Sequence, residues 1–219
     1  MHLSPGTLNI LKNFSNINRS IVIREGNELS TIAVTRTIYA KATVEERFPR
    51  TFAIYDLTEF LSGLTLFKNP EFIFDSEDYI LIKDDNSQVK YFYSDPEIVV
   101  AAPKSPAQIP SVDVQFILES ETLATMVRAA SVYQLPDLCV EGDGNNIKLV
   151  VKDKKNNTSN SYSLVVGETG DNFSYSFKIE NIKILPGKYD VSISSQLISN
   201  FVNLNIDLEY LIPLEPDED

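Results

Sequence analysis

Short segments in which apolar and polar residues alternate dominate this chain. SIVIREG, ELSTIAVTR, TIYAKATVE and RTFAIYD follow one another near the start, rich in β-branched residues and separated by turn-forming residues. A two-residue period places successive side chains on opposite faces of a strand, which is typical of half-buried strands joined by hairpins. The same texture continues to DLEYLIPL and predicts about fifteen strands, most of them roughly four to nine residues long.

Four stretches depart from this alternation and have the apolar spacing of amphipathic helices. The first covers residues 4–18, with Ser4 as the cap and Pro5 at the first helical position. Its predicted apolar stripe is Leu8, Ile10, Leu11, Phe14 and Ile17, and its polar face is Asn9, Lys12, Asn13 and Asn16. The second covers residues 56–67, with Asp56 as the cap and Glu59 at the capping-box position. Its predicted buried face is Leu57, Phe60, Leu61 and Leu64.

The other two helical stretches lie in the second half of the chain. The third covers residues 119–133 and stops before Pro136, which cannot continue a helix. Its predicted buried side chains are Leu123, Met126, Val127 and Ala130, with Thr125 and Arg128 turned outward. The fourth covers only residues 180–185 and ends at Pro186 and Gly187.

A proline-rich segment, DPEIVVAAPKSPAQIPSVD, lies almost at the midpoint of the 219 residues. Each half of the chain contains two helical stretches among its strands, which is an internal repeat of architecture. This pattern favours two similar α+β domains, residues 1–95 and 113–219, joined by a connector at residues 96–112. Its prolines favour an extended strap. A two-domain jelly roll is the rival architecture, but four evenly placed helices fit it poorly.

Charge is distributed unevenly in this acidic protein, whose formal net charge is −12. Residues 1–24 contain no acid, whereas the closing EPDED contains four and is expected to be a solvated, mobile end. Basic residues fall on or beside the helical stretches, which indicates a segregated charge: Lys12, Arg19, Arg128, Lys178 and Lys183. No apolar run is long enough for a membrane helix, the N-terminus lacks signal-peptide features, and one unpaired cysteine favours a reducing, intracellular compartment.

Catalytic motifs are scarce, and we predict no catalysis, no cofactor and no metal. His2 stands at a terminus that is expected to fray, and Cys139 lies in a strand pattern that predicts a buried structural thiol. Phosphate loops and paired-cysteine metal spacings are absent from the sequence. The acidic DSEDY and Asp84-Asp85 are compatible with a divalent-ion site, but between strands such residues are more typical of hairpin turns, and EGDGNN is a still clearer hairpin turn. A carboxylate pair for carbohydrate hydrolysis stays open as a distant alternative.

Several of these segments resemble one family. LKNFSNIN in the first helix, FAIYDLTEFLSGL at the second, ILPGKYDVSI after the fourth and the central connector resemble the DNA polymerase sliding clamp of T-even-type bacteriophages. The order of elements matches over essentially the whole chain. EYLIPLEPDED is also similar to the tail of the eukaryotic clamp, proliferating cell nuclear antigen.

This resemblance implies a clamp fold of two domains, each with two helices packed on antiparallel sheets, that assembles as a homotrimeric ring. Helices would line the hole and edge strands would pair between subunits. It further implies a processivity factor that encircles double-stranded DNA without sequence preference and tethers the replicative DNA polymerase. The resemblance also implies two further partners, an ATP-dependent clamp loader and late-transcription factors. The implied location is the cytoplasm of an infected bacterium. The alternative that the sequence leaves open is a β-rich, oligomeric virion structural protein.

Two sets of site residues follow from the resemblance. By position in the matching helices, the implied DNA-facing residues are Lys12, Arg19, Arg128 and Lys183. The family's third helix tends to carry a second arginine three residues after the first, but this chain has Ser131 there. The implied partner-binding pocket between the domains comprises Ile98, Val99 and Val100 of the connector and Tyr210, Leu211, Ile212 and Pro213 before the tail. Alternatively, these apolar residues only join the two domains.

Overall fold

Two compact units, residues 1–106 and 107–219, make up the computed structural model of the chain. The structure describes residues 1–106, 108–156 and 158–216. Each unit combines helix with antiparallel strands, so the expected α+β class is confirmed.

The first unit begins with a helix and adds two groups of strands around a second helix. Its elements are α1 (Pro5–Ile17), β1 (Ile21–Ile23), β2 (Gly26–Ile32), β3 (Tyr39–Phe48), β4 (Phe52–Ile54), α2 (Leu57–Leu64), β5 (Glu71–Ile73), β6 (Tyr79–Lys83) and β7 (Gln88–Phe92). Strand β1 pairs with β4, β2 pairs with β3, and β5, β6 and β7 form a meander, all antiparallel. Within this unit β7 is therefore an edge strand.

The second unit begins with a strand and contains two four-stranded antiparallel arrays. Its elements are β8 (Val114–Leu118), α3 (Ser120–Tyr133), β9 (Asp137–Asp143), β10 (Asn146–Lys152), β11 (Tyr162–Glu168), β12 (Asn172–Lys178), β13 (Tyr189–Ser194), β14 (Ile198–Asn203) and β15 (Leu208–Pro213). One array has the order β11-β10-β9-β12 and the other has the order β8-β13-β14-β15. Strand β11 is thus at the edge of its array.

Helix α1 begins where its capping residues predict. The Ser4 hydroxyl accepts a hydrogen bond from the Thr7 N–H at 3.2 Å. Glu46 of β3 accepts hydrogen bonds from the Ser4 N–H and the Thr7 hydroxyl, which ties the helix start to the sheet. Burial alone would raise the pKa of Glu46, but these hydrogen bonds outweigh it and hold the pKa below its usual value. The predicted apolar stripe is buried apart from the half-buried Leu8, and Asn13, predicted to be outward, is also buried.

Helix α2 confirms the prediction made from its cap and apolar spacing. Asp56 accepts a hydrogen bond from the Glu59 N–H at 3.0 Å, and all four predicted core residues are buried. The helix is shorter than predicted and ends at Leu64, because Thr65, Leu66 and Phe67 continue only as hydrogen-bonded turns to Ser62, Gly63 and Leu64. Helix α2 packs against α1.

Helix α3 lies within one residue of its predicted bounds, but one of the residues predicted to be buried is exposed. Leu123, Met126 and Ala130 are buried as expected, whereas Val127 is exposed and Ala129 is buried in its place. The buried stripe is thus rotated by part of a turn toward Ala129. Gln134 ends the helix in a left-handed conformation, with φ of 55°, just before Pro136.

The prediction of a fourth helix at residues 180–185 is wrong. Residues Ile179–Asn181 form only a 3-10 turn, and the chain then runs irregularly to β13. The reason is visible at Leu185, whose N–H donates to the Tyr210 hydroxyl at 3.0 Å and whose carbonyl accepts from the Tyr189 hydroxyl at 2.5 Å. The Tyr210 hydroxyl therefore satisfies the Leu185 N–H that a helix would have paired, and the Tyr189 hydroxyl satisfies the carbonyl of the same residue.

Both ends of the chain differ from expectation. The Met1 ammonium donates to the Phe72 carbonyl at 2.9 Å and the Phe72 N–H donates to the Met1 carbonyl at 2.7 Å, so the N-terminus is attached to β5. His2 also contacts the Pro70 carbonyl at 3.0 Å. In the acidic tail, the Glu215 N–H donates to the Ser176 carbonyl at 2.8 Å, so the predicted mobile end does not begin there. The last three residues, 217–219, lie outside the described residues.

Candidate functional site

Lys12 lies on the exposed face of α1, between the exposed Asn9 and Asn16. This face contains no acidic residue from Pro5 to Ile17. Within the described residues, no carboxylate lies within ion-pair distance of Lys12. Its full positive charge is therefore available to a negatively charged ligand.

Arg19 follows the C-terminal end of α1 and is held in an ion pair with Asp56. The same Asp56 caps α2, and the Arg19 carbonyl accepts a hydrogen bond from the Leu57 N–H at 2.6 Å. The Glu59 N–H and the Arg19 guanidinium hold the pKa of Asp56 below its usual value. Arg19 thus joins the end of α1 to the start of α2, and its charge is partly neutralised.

Arg128 is exposed on α3, and no described carboxylate pairs with it. Ser131, three residues on, is exposed on the same face. Other exposed residues near Arg128 on this helix include the apolar Val127 and Val132. The face therefore contains one isolated cation, with Glu121 in the first turn of the helix.

Lys183 does not lie on a helix, since the fourth helix is replaced by the 3-10 turn. It is exposed in the irregular segment that follows, and its N–H donates to the Asn181 carbonyl at 3.0 Å. The prediction that Lys183 lies on the polar face of a helix is therefore wrong.

The first part of the connector lies along the first unit. Residues Pro96–Ile98 form a 3-10 turn capped by Asp95, and Val99 then adopts an extended conformation. Val99 is buried against Val22 and Ala53, whereas Ile98 and Val100 are exposed. Of the three connector residues assigned to partner binding, two are thus accessible and one is an anchor.

The four predicted residues near the C-terminus belong to β15 of the second unit. Tyr210, Leu211 and Ile212 are buried, and Pro213 is exposed. Tyr210 packs edge-on to Tyr189, with ring centroids 6.1 Å apart, and burial raises the pKa of its hydroxyl well above the usual value. Tyr210 is therefore part of the core of this unit.

Sequence reasoning missed two side chains that hold the connector in place, Asn18 and Arg24. Asn18 donates to the Val100 carbonyl at 3.2 Å, and Arg24 donates to the Ala102 carbonyl at 2.6 Å. Both hydrogen bonds join residues more than seventy positions apart in the chain, and no local pattern signals such a pairing.

Groups that were considered for catalysis or metal binding have structural partners. Asp84 accepts hydrogen bonds from the backbone N–H groups of Asn86 and Ser87 in the β6–β7 hairpin, as a turn residue does. Cys139 is fully buried in β9, and burial raises the pKa of its thiol to about 11, so the thiol stays protonated at neutral pH. Asp143 and Gly144, with φ of 82°, form the predicted β9–β10 turn.

Two family models match the chain, one for each unit. The model described as DNA polymerase processivity factor matches residues 4–101, and the model described as gp45 sliding clamp, C terminal, matches residues 115–216. No helix in the described part of the chain is long and apolar enough to span a membrane.

Curated relatives extend this match over nearly the full length. The sliding clamp of Vibrio phage KVP40 is 33% identical over 222 residues, which covers 98% of this chain and 99% of the relative. The sliding clamp of Enterobacteria phage T4 is 32% identical over 195 residues, 86% of this chain and 85% of the relative. This chain therefore belongs to the sliding-clamp family of T4-like bacteriophages, the processivity factors of their DNA polymerases. The suggested family is confirmed, and the virion structural protein is not.

Solved structures show the same fold at low identity. A complex described as the C-terminal region of FEN-1 bound to A. fulgidus PCNA aligns with a TM-score of 0.72 at 10% identity, covering 97% of this chain and 96% of the matched chain. The clamp fold is thus confirmed.

Proposed function

We propose that three copies of this chain form a ring that encircles duplex DNA and binds it without base recognition. The observation that supports this most is the pair of isolated cations, Lys12 and Arg128, on exposed helix faces of a protein with net charge −12. A few cations attract phosphates weakly and without sequence preference, which permits sliding. A negative charge elsewhere discourages DNA from binding at other surfaces. Arg19 and Lys183 are proposed as weaker contributors, because Arg19 is paired with Asp56 and Lys183 does not lie on a helix.

The ring would tether the replicative polymerase through the connector, which we propose to span residues 96–112 between domains 1–95 and 113–219. Ile98 and Val100 are exposed apolar residues on an anchored segment, so the connector itself loses little conformational entropy when a partner's apolar side chain binds there. Val99 would support the connector from within the first unit. Pro213 is the exposed member of the C-terminal set, and Tyr210, Leu211 and Ile212 would support it from within the second unit. We further propose loading by an ATP-dependent clamp loader, contact with late-transcription factors, action in the host cytoplasm and no catalytic activity.

Topology provides the test of the ring. After loading with a clamp loader and ATP, the protein should remain on nicked circular duplex DNA and be lost from the same DNA once it is made linear. Gel filtration of the mixtures measures the bound fraction. Equal loss from circular and linear DNA would contradict encirclement.

Removing a helix cation should weaken the electrostatic attraction without affecting topology. For Lys12→Ala or Arg128→Ala we expect a smaller slope of log K against log salt, measured on short linear duplexes. The slope should fall by about 1 for each phosphate that the protein no longer neutralises, and by up to about 3 in a trimer. Lys104→Ala is the matched control, since Lys104 is an exposed cation on the connector. A change in slope as large for Lys104→Ala as for Lys12→Ala would refute the assignment.

A further inference from the structure

The start of the connector is bound to the first unit at regular intervals. The Ser94 N–H donates to the Ala53 carbonyl at 3.0 Å, just before the connector. Val99 is 7% exposed and packs on Val22 and Ala53, and Ala102 is 4% exposed. These contacts give this proline-rich segment a defined path as far as Ala102.

The Asn18 side-chain amide donates two hydrogen bonds and accepts two, so both of its donors and its acceptor oxygen are satisfied. Asn18 is 5% exposed, and its Nδ2 donates to the carbonyls of Ile32 at 2.9 Å and Val100 at 3.2 Å. Its Oδ1 accepts hydrogen bonds from the N–H and the hydroxyl of Ser20. The same residue caps the C-terminus of α1, so one buried amide joins the end of this helix to the connector.

Arg24 makes the second connection. One guanidinium nitrogen donates to the Ala102 carbonyl at 2.6 Å, and the other donates to the Ser30 hydroxyl at 3.1 Å. Hydrogen bonds from a charged donor are stronger than those between neutral groups. Arg24 therefore holds the backbone two residues beyond the carbonyl that Asn18 binds.

Together these hydrogen bonds decide which side chains the connector displays. Val99 and Ala102 are buried, with 7% and 4% exposure, whereas Ile98 and Val100 are exposed, at 64% and 43%, as is Ala101 between Val100 and Ala102. We propose that Asn18 and Arg24 are positioning residues for partner binding, because they hold the connector in the extended form that presents Ile98 and Val100 outward. This inference rests on the proposed role of the connector as the surface that binds the polymerase.

The expected effect is one of preorganisation. A connector released from Arg24 samples many conformations, and only the fraction that displays both side chains binds. For Arg24→Ala, the hydrogen-bonded backbone amides of Ile98 and Val99 should exchange about tenfold faster, and the Kd for the phage's replicative polymerase should rise about tenfold. Arg24→Lys retains a charged donor and should recover part of the affinity. Asn18→Ala should act in the same direction.

Two further variants make the experiment decisive. Arg47→Ala removes an exposed cation of β3 in the same unit and should leave both readouts unchanged. Ile98→Ser combined with Val100→Ser tests the binding surface itself and should abolish polymerase binding without loosening the connector. If this double variant binds normally, the proposed role of the connector fails. If it loses binding while Arg24→Ala exchanges faster but binds normally, the connector role stands and the positioning inference is overturned.

Discussion

Replacing Asp137 with alanine is expected to lower the free energy of unfolding by about 3 kcal/mol, because two hydrogen bonds to its charge disappear. Asp137 lies at the start of β9, the strand between β10 and β12, and is 1% exposed. Its carboxylate pairs with the Lys178 ammonium at 2.6 Å and accepts a hydrogen bond from the Lys154 N–H at 2.9 Å. Its removal also leaves a gap between three strands. Chemical denaturation followed by circular dichroism measures the decrease.

Glu141 provides the matched control for this variant. It is a carboxylate on the same strand and also pairs with a lysine, Lys152, but both side chains of this pair are about one third exposed. Solvent screens such a pair, so Glu141→Ala should cost less than about 1 kcal/mol. Equal decreases for the two variants would show that burial of the Asp137 carboxylate does not determine its contribution.

Most of the secondary structure could be predicted, because it depends on capping residues and apolar spacing that can be read directly from the sequence. The cap at Asp56 and the spacing of Leu57, Phe60, Leu61 and Leu64 correctly predicted α2, since both signals act within a few residues. The fourth helix was wrong because Tyr189 and Tyr210 bind the backbone of Leu185 from outside the segment. Val127 was wrongly predicted to be buried, because the side of a helix that is buried depends on the elements packed against it as well as on the spacing of its own apolar residues.

In the candidate site too, features that depend on nearby residues could be predicted, whereas features that depend on contacts between remote residues could not. Exposure of Lys12 and Arg128 could be predicted, because helical periodicity assigns the polar face. Neutralisation of Arg19 by Asp56 could not, since it depends on how α1 meets α2. Nor could the roles of Asn18 and Arg24, whose partners on the connector are remote in sequence.

Edge strands suggest how copies of this chain assemble. In the first unit, β7 pairs with β6 alone among the described strands, and its side chains Val89 and Phe92 are exposed. In the second unit, β11 pairs with β10, and Val165 is 59% exposed. Exposed apolar edges are templates for pairing with another chain. We propose that β7 of one copy pairs with β11 of the next, which is a head-to-tail contact and can close into a ring.

A charge placed in either edge should abolish the ring. For Phe92→Glu and for Val165→Glu we expect association to weaken by about 100-fold or more, because the carboxylate would be buried without a partner. Each variant alone should sediment as a monomer at micromolar concentration, where we expect the unmodified chain to sediment as a trimer. Val202→Glu is the control, since Val202 is also exposed and apolar but lies on β14, between β13 and β15. That variant should remain trimeric.

Mixing the two edge variants tests the direction of the contact. The Phe92→Glu chain retains an intact β11, and the Val165→Glu chain retains an intact β7, so an equimolar mixture has one intact pairing per two chains. Sedimentation should therefore give a heterodimer and no larger species, because the damaged edges at its two ends cannot close a ring. If β7 instead paired with β7, the Val165→Glu chain alone would still associate. That result, or a mixture that stays monomeric, would contradict the head-to-tail arrangement.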